Sequence, residues 1–566
     1  MKRGGRPGEA NGGANGSAQD GAGWPDRARM HVLNDSHLRP AINTLARQQS
    51  NQLFSGVSAF RGAMMVTGST YVTYALGMLT SIVIARTLGP DDFGRYAYVV
   101  WLAGLLVLVV NNGITTTAIR FVSESLGRGS AEVAGSVHGW LLKRQLASAA
   151  LVGIAFLVFL PQFKPTGWEN EGLGLFAVAT LAAGMCKAWF IFDVSIAKGH
   201  GHYGIEAGAT VAMSLLNIGA VLLLLWMGAG LEAYVVLFAI VGAGHAIAGR
   251  TLRRRANLLP NYTRLEPALQ PRVRSHLWWT VLLVLAWALS NKSIETFLLN
   301  RTVGAAAVGY FAIAAALTRG GIDMLSSGLG TVLMPMMSHA YGSGGSERVG
   351  PIVAGAVRYY AALGLLLAGA GALAAPALVV LLYGNAYGEV VLPLQVMVVV
   401  GGLTLAEGAF GALLSTTDNQ KLRVGFVVLS LALTASLAIY LVPRHGLAGA
   451  VLAHAVSRIL VFSVTSVGIT YLLALRMPWR ELLRLMAAAA TAFVPALVLV
   501  RVLPASWGGL VAAAAYVLVY VAASVAYRAW RRDDARVLAG LGERYPRLAA
   551  WGGSWAMRLA GGRAAP

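Results

Sequence analysis

Lone polar side chains inside long apolar stretches are the part of this sequence that could do chemistry. Lys292 and Glu295 stand three residues apart, and Arg319 and Asp323 four apart; at either spacing two side chains share one face of a helix. Glu407, His454 with Arg458, Lys187 with Asp193, and the doublet Asn111 and Asn112 have similar surroundings. A charge at bilayer depth costs about 2.5–3.5 kcal/mol on insertion scales, so it turns to a polar interior or to a partner. Lys292, Glu295, Arg319, Asp323, Asn111 and Asn112 are therefore the candidate lining of a hydrated cavity. Its cations suit an anionic headgroup, and Glu295 and Asp323 suit carriage of a proton or cation. Structural ion pairing within a helix is the alternative for the first two pairs. For Glu407, His454 and Arg458, pairing between helices is at least as apt, and Lys187 can snorkel to the interface.

Other chemistries find little support. His200 and His202 are metal-ligand types, but their Gly-rich loop has no obvious carboxylate partner. No Gly-x-x-x-x-Gly-Lys-Ser/Thr loop for a nucleoside triphosphate occurs. The loops between apolar stretches hold no Ser-His-Asp or paired-carboxylate set. No cofactor, no metal and no enzymatic activity are expected. Cys186 is the single cysteine, which excludes a disulfide framework and a thiolate zinc site.

The elements that must position these residues follow from composition. Of 566 residues, 57% are hydrophobic, 67 more are glycine, and only 12% are charged. A soluble domain needs about 25% charged residues, so a soluble enzyme and a disordered scaffold are both excluded. Apolar runs near the roughly 20 residues that cross a bilayer occur at 64–85, 97–113, 145–160, 172–192, 205–228, 233–248, 277–299, 305–334, 353–379, 391–414, 424–442, 447–472, 482–502 and 510–527. Because these runs are continuous rather than alternating, they predict helices and not a barrel. The expected fold is an all-α polytopic membrane protein of about fourteen transmembrane helices.

Charge gives the orientation. The net charge of +21 concentrates on alternate loops, the richest carrying Arg250, Arg253, Arg254, Arg255, Arg264, Arg272 and Arg274. The intervening loops carry only Arg86, Arg95, Lys164, Arg301, Arg444 and Arg501. This is the positive-inside bias, which places both termini in the cytoplasm. The basicity is thus topology, compatible with anionic lipid, and no nucleic-acid partner is expected. Residues 1–60 read as a disordered cytoplasmic tail, with a short amphipathic stretch at 40–54, and 531–566 as a second, basic tail.

The chain also repeats itself. Arg86-Thr-Leu-Gly89 through Gly94 matches Arg301-Thr-Val-Gly304 through Gly309, 215 residues later, and Tyr96 matches Tyr310 one position short of that offset. Gly230-Leu231 matches Gly446-Leu447 at an offset of 216. Two matches at one period argue for a duplicated six-span unit. Six is even, so both copies keep one orientation, and the pseudo-twofold axis runs along the membrane normal. The expected parts are a six-helix bundle at 61–250, a basic cytoplasmic loop at 251–276, a second bundle at 277–475, and extra helices 13 and 14 at 476–530.

Four segments carry a family resemblance. ARTLGPDDFGRYAYV at 85–99, RFVSE at 120–124, LLYGNAYGEVVLPLQVM at 381–397 and PRHGLAGAVLAHAVSRI at 443–459 resemble, in order and spacing, the polysaccharide transporter family of lipid-linked oligosaccharide flippases. That family belongs to the multidrug/oligosaccharidyl-lipid/polysaccharide exporter superfamily. The resemblance implies flipping of a polyprenyl-pyrophosphate-linked oligosaccharide to the outer leaflet of the bacterial inner membrane, for O-antigen, lipopolysaccharide or exopolysaccharide synthesis. It implies a polar cavity on helices 1, 2, 7 and 8. Membrane lipids and polysaccharide polymerase machinery are expected partners, and without a nucleotide loop the energy source is either downhill consumption of the flipped product or coupling to an ion gradient, H+ or Na+. A multidrug or small-metabolite antiporter of the same superfamily is the alternative. A polytopic polymerase or ligase would carry a large outer loop, whereas the longest here is 161–171.

Overall fold

The computed structural model describes residues 56–168, 173–290, 293–416, 420–472, 475, 477–504 and 507–531, and among them every regular element is a helix. In chain order these are α1 (Gly56–Asn111), α2 (Ile114–Gly127), α3 (Ala131–Val158), α4 (Leu160–Phe163), α5 (Leu173–Gly199), α6 (Gly204–Trp226), α7 (Leu231–Arg255), α8 (Leu269–Ser290), α9 (Ser293–Thr302) and α10 (Ala305–Thr318). A π-turn, Arg319–Asp323, leads into α11 (Met324–Tyr383). A 3-10 turn, Asn385–Val390, precedes α12 (Val391–Leu403), α13 (Glu407–Thr416), α14 (Gln420–Leu472), α15 (Trp479–Val502) and α16 (Gly508–Ala526).

Eleven stretches among the described residues are long and apolar enough to cross a membrane, and two of these, Met64–Asn111 and Lys421–Tyr471, are of double length. Drawn straight, the 56 residues of α1 would reach about 84 Å at 1.5 Å each, far beyond a hydrocarbon core of about 30 Å. Glycine resolves the conflict. α1 breaks at Gly89 (φ 76, ψ 176), and Pro90 opens its second part, where its fixed φ suits a helix start. α14 breaks at Gly446 (φ 57, ψ −131) and folds back on itself. A Cβ on Gly449 would lie 2.2 Å from the carbonyl oxygen of Leu441, two atoms that a straight helix would hold about 12 Å apart.

Outward apolar faces and an apolar interior coexist. Leu151, Ile154, Leu216, Ile247 and Leu518 are exposed, as a lipid-facing surface requires. Inside, one cluster runs from Ile84, Tyr98 and Phe176 in the first half of the chain to Val308, Phe311, Val357 and Phe410 in the second. α15 and α16 form a separate cluster against α11, fastened by Tyr516 and Tyr520, whose hydroxyls donate to the carbonyls of Leu365 and Ala362 at 2.9 and 3.0 Å. The protein is multi-pass.

The loops sort onto two ends. At one, Tyr387 Oη donates to Ala85 O at 2.6 Å, Arg86 Nε to Leu382 O at 2.8 Å, and Asn300 Nδ2 to Lys164 O at 3.0 Å. At the other, arginine-rich end, Ser123 Oγ donates to Gly199 O, and Ser136 bonds Thr263. There α8 begins at Leu269, before the apolar run at 277, because the basic residues Arg272 and Arg274 extend the helix past its oily section.

Candidate functional site

The charged side chains of the second half sit on broken helices. α10 passes into α11 through the π-turn Arg319-Gly320-Gly321-Ile322-Asp323, a feature frequent at functional sites. Two tyrosines of α1 strap this turn. Tyr74 Oη donates to Ala316 O, and Tyr71 Oη to Met324 O at 3.3 Å. A Cβ on Gly320 would fall 2.5 Å from the Tyr74 ring, so glycine there lets the first half of the chain close onto the second. Tyr71 and Tyr74 were not in the expected cavity set; their three-residue spacing on one helix face was the available signal.

Arg319 and Asp323 have different fates. Asp323 Oδ1 lies 3.4 Å from Arg458 Nη2 of α14. Arg458 Nε also donates to Thr404 Oγ1 at 3.0 Å, in the turn where α12 gives way to α13. Half-buried Glu407, at the start of α13, interacts electrostatically with both Arg458 and Asp323. Arg319 is exposed and has no ion-pair partner among the described residues; its field reaches Tyr74. Glu295 is fully buried, neither carboxylate oxygen has a hydrogen-bond partner among the described residues, and His454 Nδ1 lies 3.9 Å away. Lys292 lies outside the described residues.

Asn111 and Asn112 bind elsewhere. Buried Asn111 Oδ1 accepts from Gln145 Nε2 at 2.8 Å, and Asn112 Nδ2 donates to Ser148 Oγ at 2.9 Å. Both bonds join the end of α1 to α3. Near the arginine-rich end Asp193 and Arg253 form an ion pair of 2.8 Å with both side chains 6% exposed. Lys187 lies over the Phe190 ring at 4.8 Å. His200 Nδ1 bonds Ile196 O at 2.9 Å, and burial holds this imidazole below its ordinary range.

The halves meet where the sequence repeats. A Cβ on Gly94 would lie 1.8 Å from Ala305 O, and one on Gly309 would lie 3.2 Å from Pro90 O and 3.1 Å from Gly94 Cα. Gly94 and Gly309, like Pro90 and Ala305, are 215 residues apart. The contact is therefore reciprocal between matching positions.

The profile of a family described as "Polysaccharide biosynthesis protein" matches residues 59–341. The chain belongs to that family. Its match covers α2 to α10 whole, the π-turn, and parts of α1 and α11. Among solved structures, the chain is similar to the lipid II flippase MurJ in an inward closed conformation, at a TM-score of 0.68 and 11% identity over 82% of this chain and 98% of that one. It is similar to an inward-facing multidrug resistance MATE transporter of the MOP superfamily, at 0.59 and 17% over 71% and 95%. It is also similar to a MOP superfamily transporter from Pyrococcus furiosus, at 0.52 and 17% over 75% and 96%. At these identities the likeness shows the fold. No curated protein sequence matches the chain. This polysaccharide biosynthesis family member thus shares its helical fold with a lipid II flippase and with multidrug transporters.

Proposed function

We propose that this protein moves a polyprenyl-pyrophosphate-linked oligosaccharide from the inner to the outer leaflet of a bacterial inner membrane by alternating access. The observation that carries this reading is Arg319, a guanidinium without an ion-pair partner among the described residues, on a π-turn inside a membrane-length helix, at the seam between the halves. A lone cation there suits an anionic headgroup passing through the seam.

Magnitude explains why a protein is needed. Each sugar hydroxyl costs roughly 4–8 kcal/mol on leaving water for hydrocarbon. Five bare hydroxyls reach about 20 kcal/mol, and the pyrophosphate adds more. A barrier near 30 kcal/mol gives a crossing on the order of 10⁻⁹ per second. A wet seam removes most of that barrier while the prenyl chain stays in lipid.

The reading takes fourteen spans: each double-length stretch counts as two, and α8 with α9 as the seventh. The reciprocal contacts of Gly94 and Gly309 support a pseudo-twofold relation between bundles at 61–250 and 277–475, since matched residues meet mutually at a two-fold axis. The loop at 251–276 and the tails at 1–60 and 531–566 are then cytoplasmic, with 476–530 as added helices. Lys292 joins Arg319 as a headgroup contact. Glu295 and Asp323 carry the coupling proton or Na+, and Asn111 and Asn112 shape the wall by holding α3. Polymerase machinery making O-antigen or exopolysaccharide consumes the product. A cation antiporter on the same fold is the competing reading, favoured by the buried carboxylate of Glu295.

Deleting the gene and identifying the lipid-linked intermediate tests this. Accumulation of an oligosaccharide-diphospholipid at the inner leaflet is expected. Intact polysaccharide export together with new sensitivity to cationic drugs would overturn the flippase in favour of the antiporter.

A further inference from the structure

A second cationic place lies at the arginine-rich end. Arg120 and Phe121 of α2, with Pro271, Arg272, Ser275 and His276 of α8, line a groove of about 490 Å³. Buried Phe121 is its floor. The guanidinium carbons of Arg120 and Arg272 lie 5.3 and 5.9 Å from that ring's centroid, and the His276 ring meets it edge-on at 5.5 Å. His276 Nδ1 is also 3.2 Å from Thr117 Oγ1, which fixes the imidazole in the groove wall.

The local charge does not balance. Glu124 serves both Arg128 and Arg272, the latter at 2.9 Å. Arg120 has no ion-pair partner among the described residues, and its field acts on His276. Arg144 and Arg274 stand near enough to repel each other. Cations gathered in excess of carboxylate, over an aromatic floor, call for an anion. The planar guanidinium fork matches the paired oxygens of a phosphoryl group. α2 belongs to the first half of the chain and α8 to the second, so a bound anion would touch both.

We propose that this groove binds a phosphoryl group, Arg120 and Arg272 taking the oxygens of a phosphate or pyrophosphate on a lipid headgroup at the mouth of the seam. It rests on the flippase reading only for which lipid supplies that group. Glu124 competes for Arg272, so its loss frees a donor.

The test is binding of inorganic pyrophosphate to full-length protein in detergent. Wild type is expected to bind, Arg120→Gln and Arg272→Gln to weaken binding about tenfold each, and Glu124→Gln to tighten it. Arg120→Gln and Arg272→Gln should keep the wild-type unfolding temperature to within a few degrees, because both arginines are exposed. Wild type that fails to bind, or variants that all bind as wild type does, would overturn the proposal. In nanodiscs, competition by polyprenyl pyrophosphate but not by phosphatidylglycerol assigns the group to the substrate; the reverse assigns it to phospholipid. Unchanged binding across the variants in a protein whose deletion still accumulates the oligosaccharide-lipid sinks the groove alone. Arginine-dependent binding without that accumulation sinks the flippase alone.

Discussion

Asp323 and Arg458 are 135 residues apart in the chain, yet Asp323 Oδ1 lies 3.4 Å from Arg458 Nη2. Through Thr404 the same guanidinium reaches the turn between α12 and α13, so one side chain fastens three parts of the second half. The pairing also separates Asp323 from Arg319, its neighbour on the π-turn. Arg458 is thus a structural cation, whereas Arg319 has no ion-pair partner among the described residues.

Removing either partner should therefore lower stability. Asp323→Asn and Arg458→Gln are expected to cost about 1–2 kcal/mol each, below the figure for a fully buried pair because both are partly exposed. A double-mutant cycle read by unfolding in detergent should give a coupling of about 1 kcal/mol. Strictly additive losses would mean that the pair does not act as one.

Gly94→Ala places a methyl group where Ala305 O now sits. Two backbones that cross this closely tolerate nothing larger than hydrogen. A loss of about 2 kcal/mol or more is expected, with raised reactivity of a cysteine placed at Asp91 as the two helices part. Gly68→Ala, with nothing within 4 Å of the added Cβ, should leave both readouts unchanged.

The helices and the repeat were legible in the sequence because apolar length and spacing are local properties, whereas the breaks at Gly89 and Gly446 show only in the folded chain. Partner choice was not. Spacing puts Arg319 and Asp323 on one face, but only tertiary packing decides that Asp323 turns to α14. The doublet Gly320-Gly321 was the local signal for the π-turn. Asn111 and Asn112 were recognised as polar, yet nothing local shows that their bonds go to Gln145 and Ser148. The long helix α3 extends N-terminal to the apolar run at 145–160 because Ser130 caps it, accepting from Val133 N. Of the tail expected at 1–60, residues 56–60 instead belong to α1, and 1–55, with the stretch at 40–54, lie outside the described residues, as does the tail at 531–566 beyond Arg531.

Topology gives an independent check. With fourteen spans and a cytoplasmic N-terminus, a reporter fused after Pro566 is expected to score as cytoplasmic, and one inserted at Gly388 as external. An external score at Pro566 would overturn the count of fourteen spans.

Arg319→Ala, expressed at the wild-type level in the deletion strain, tests the central claim most directly. Polysaccharide export should fall about tenfold or more, with the lipid-linked intermediate accumulating and the unfolding temperature unchanged, since this side chain has no ion pair among the described residues. Wild-type export by that variant would contradict a seam in which Arg319 meets the passing headgroup.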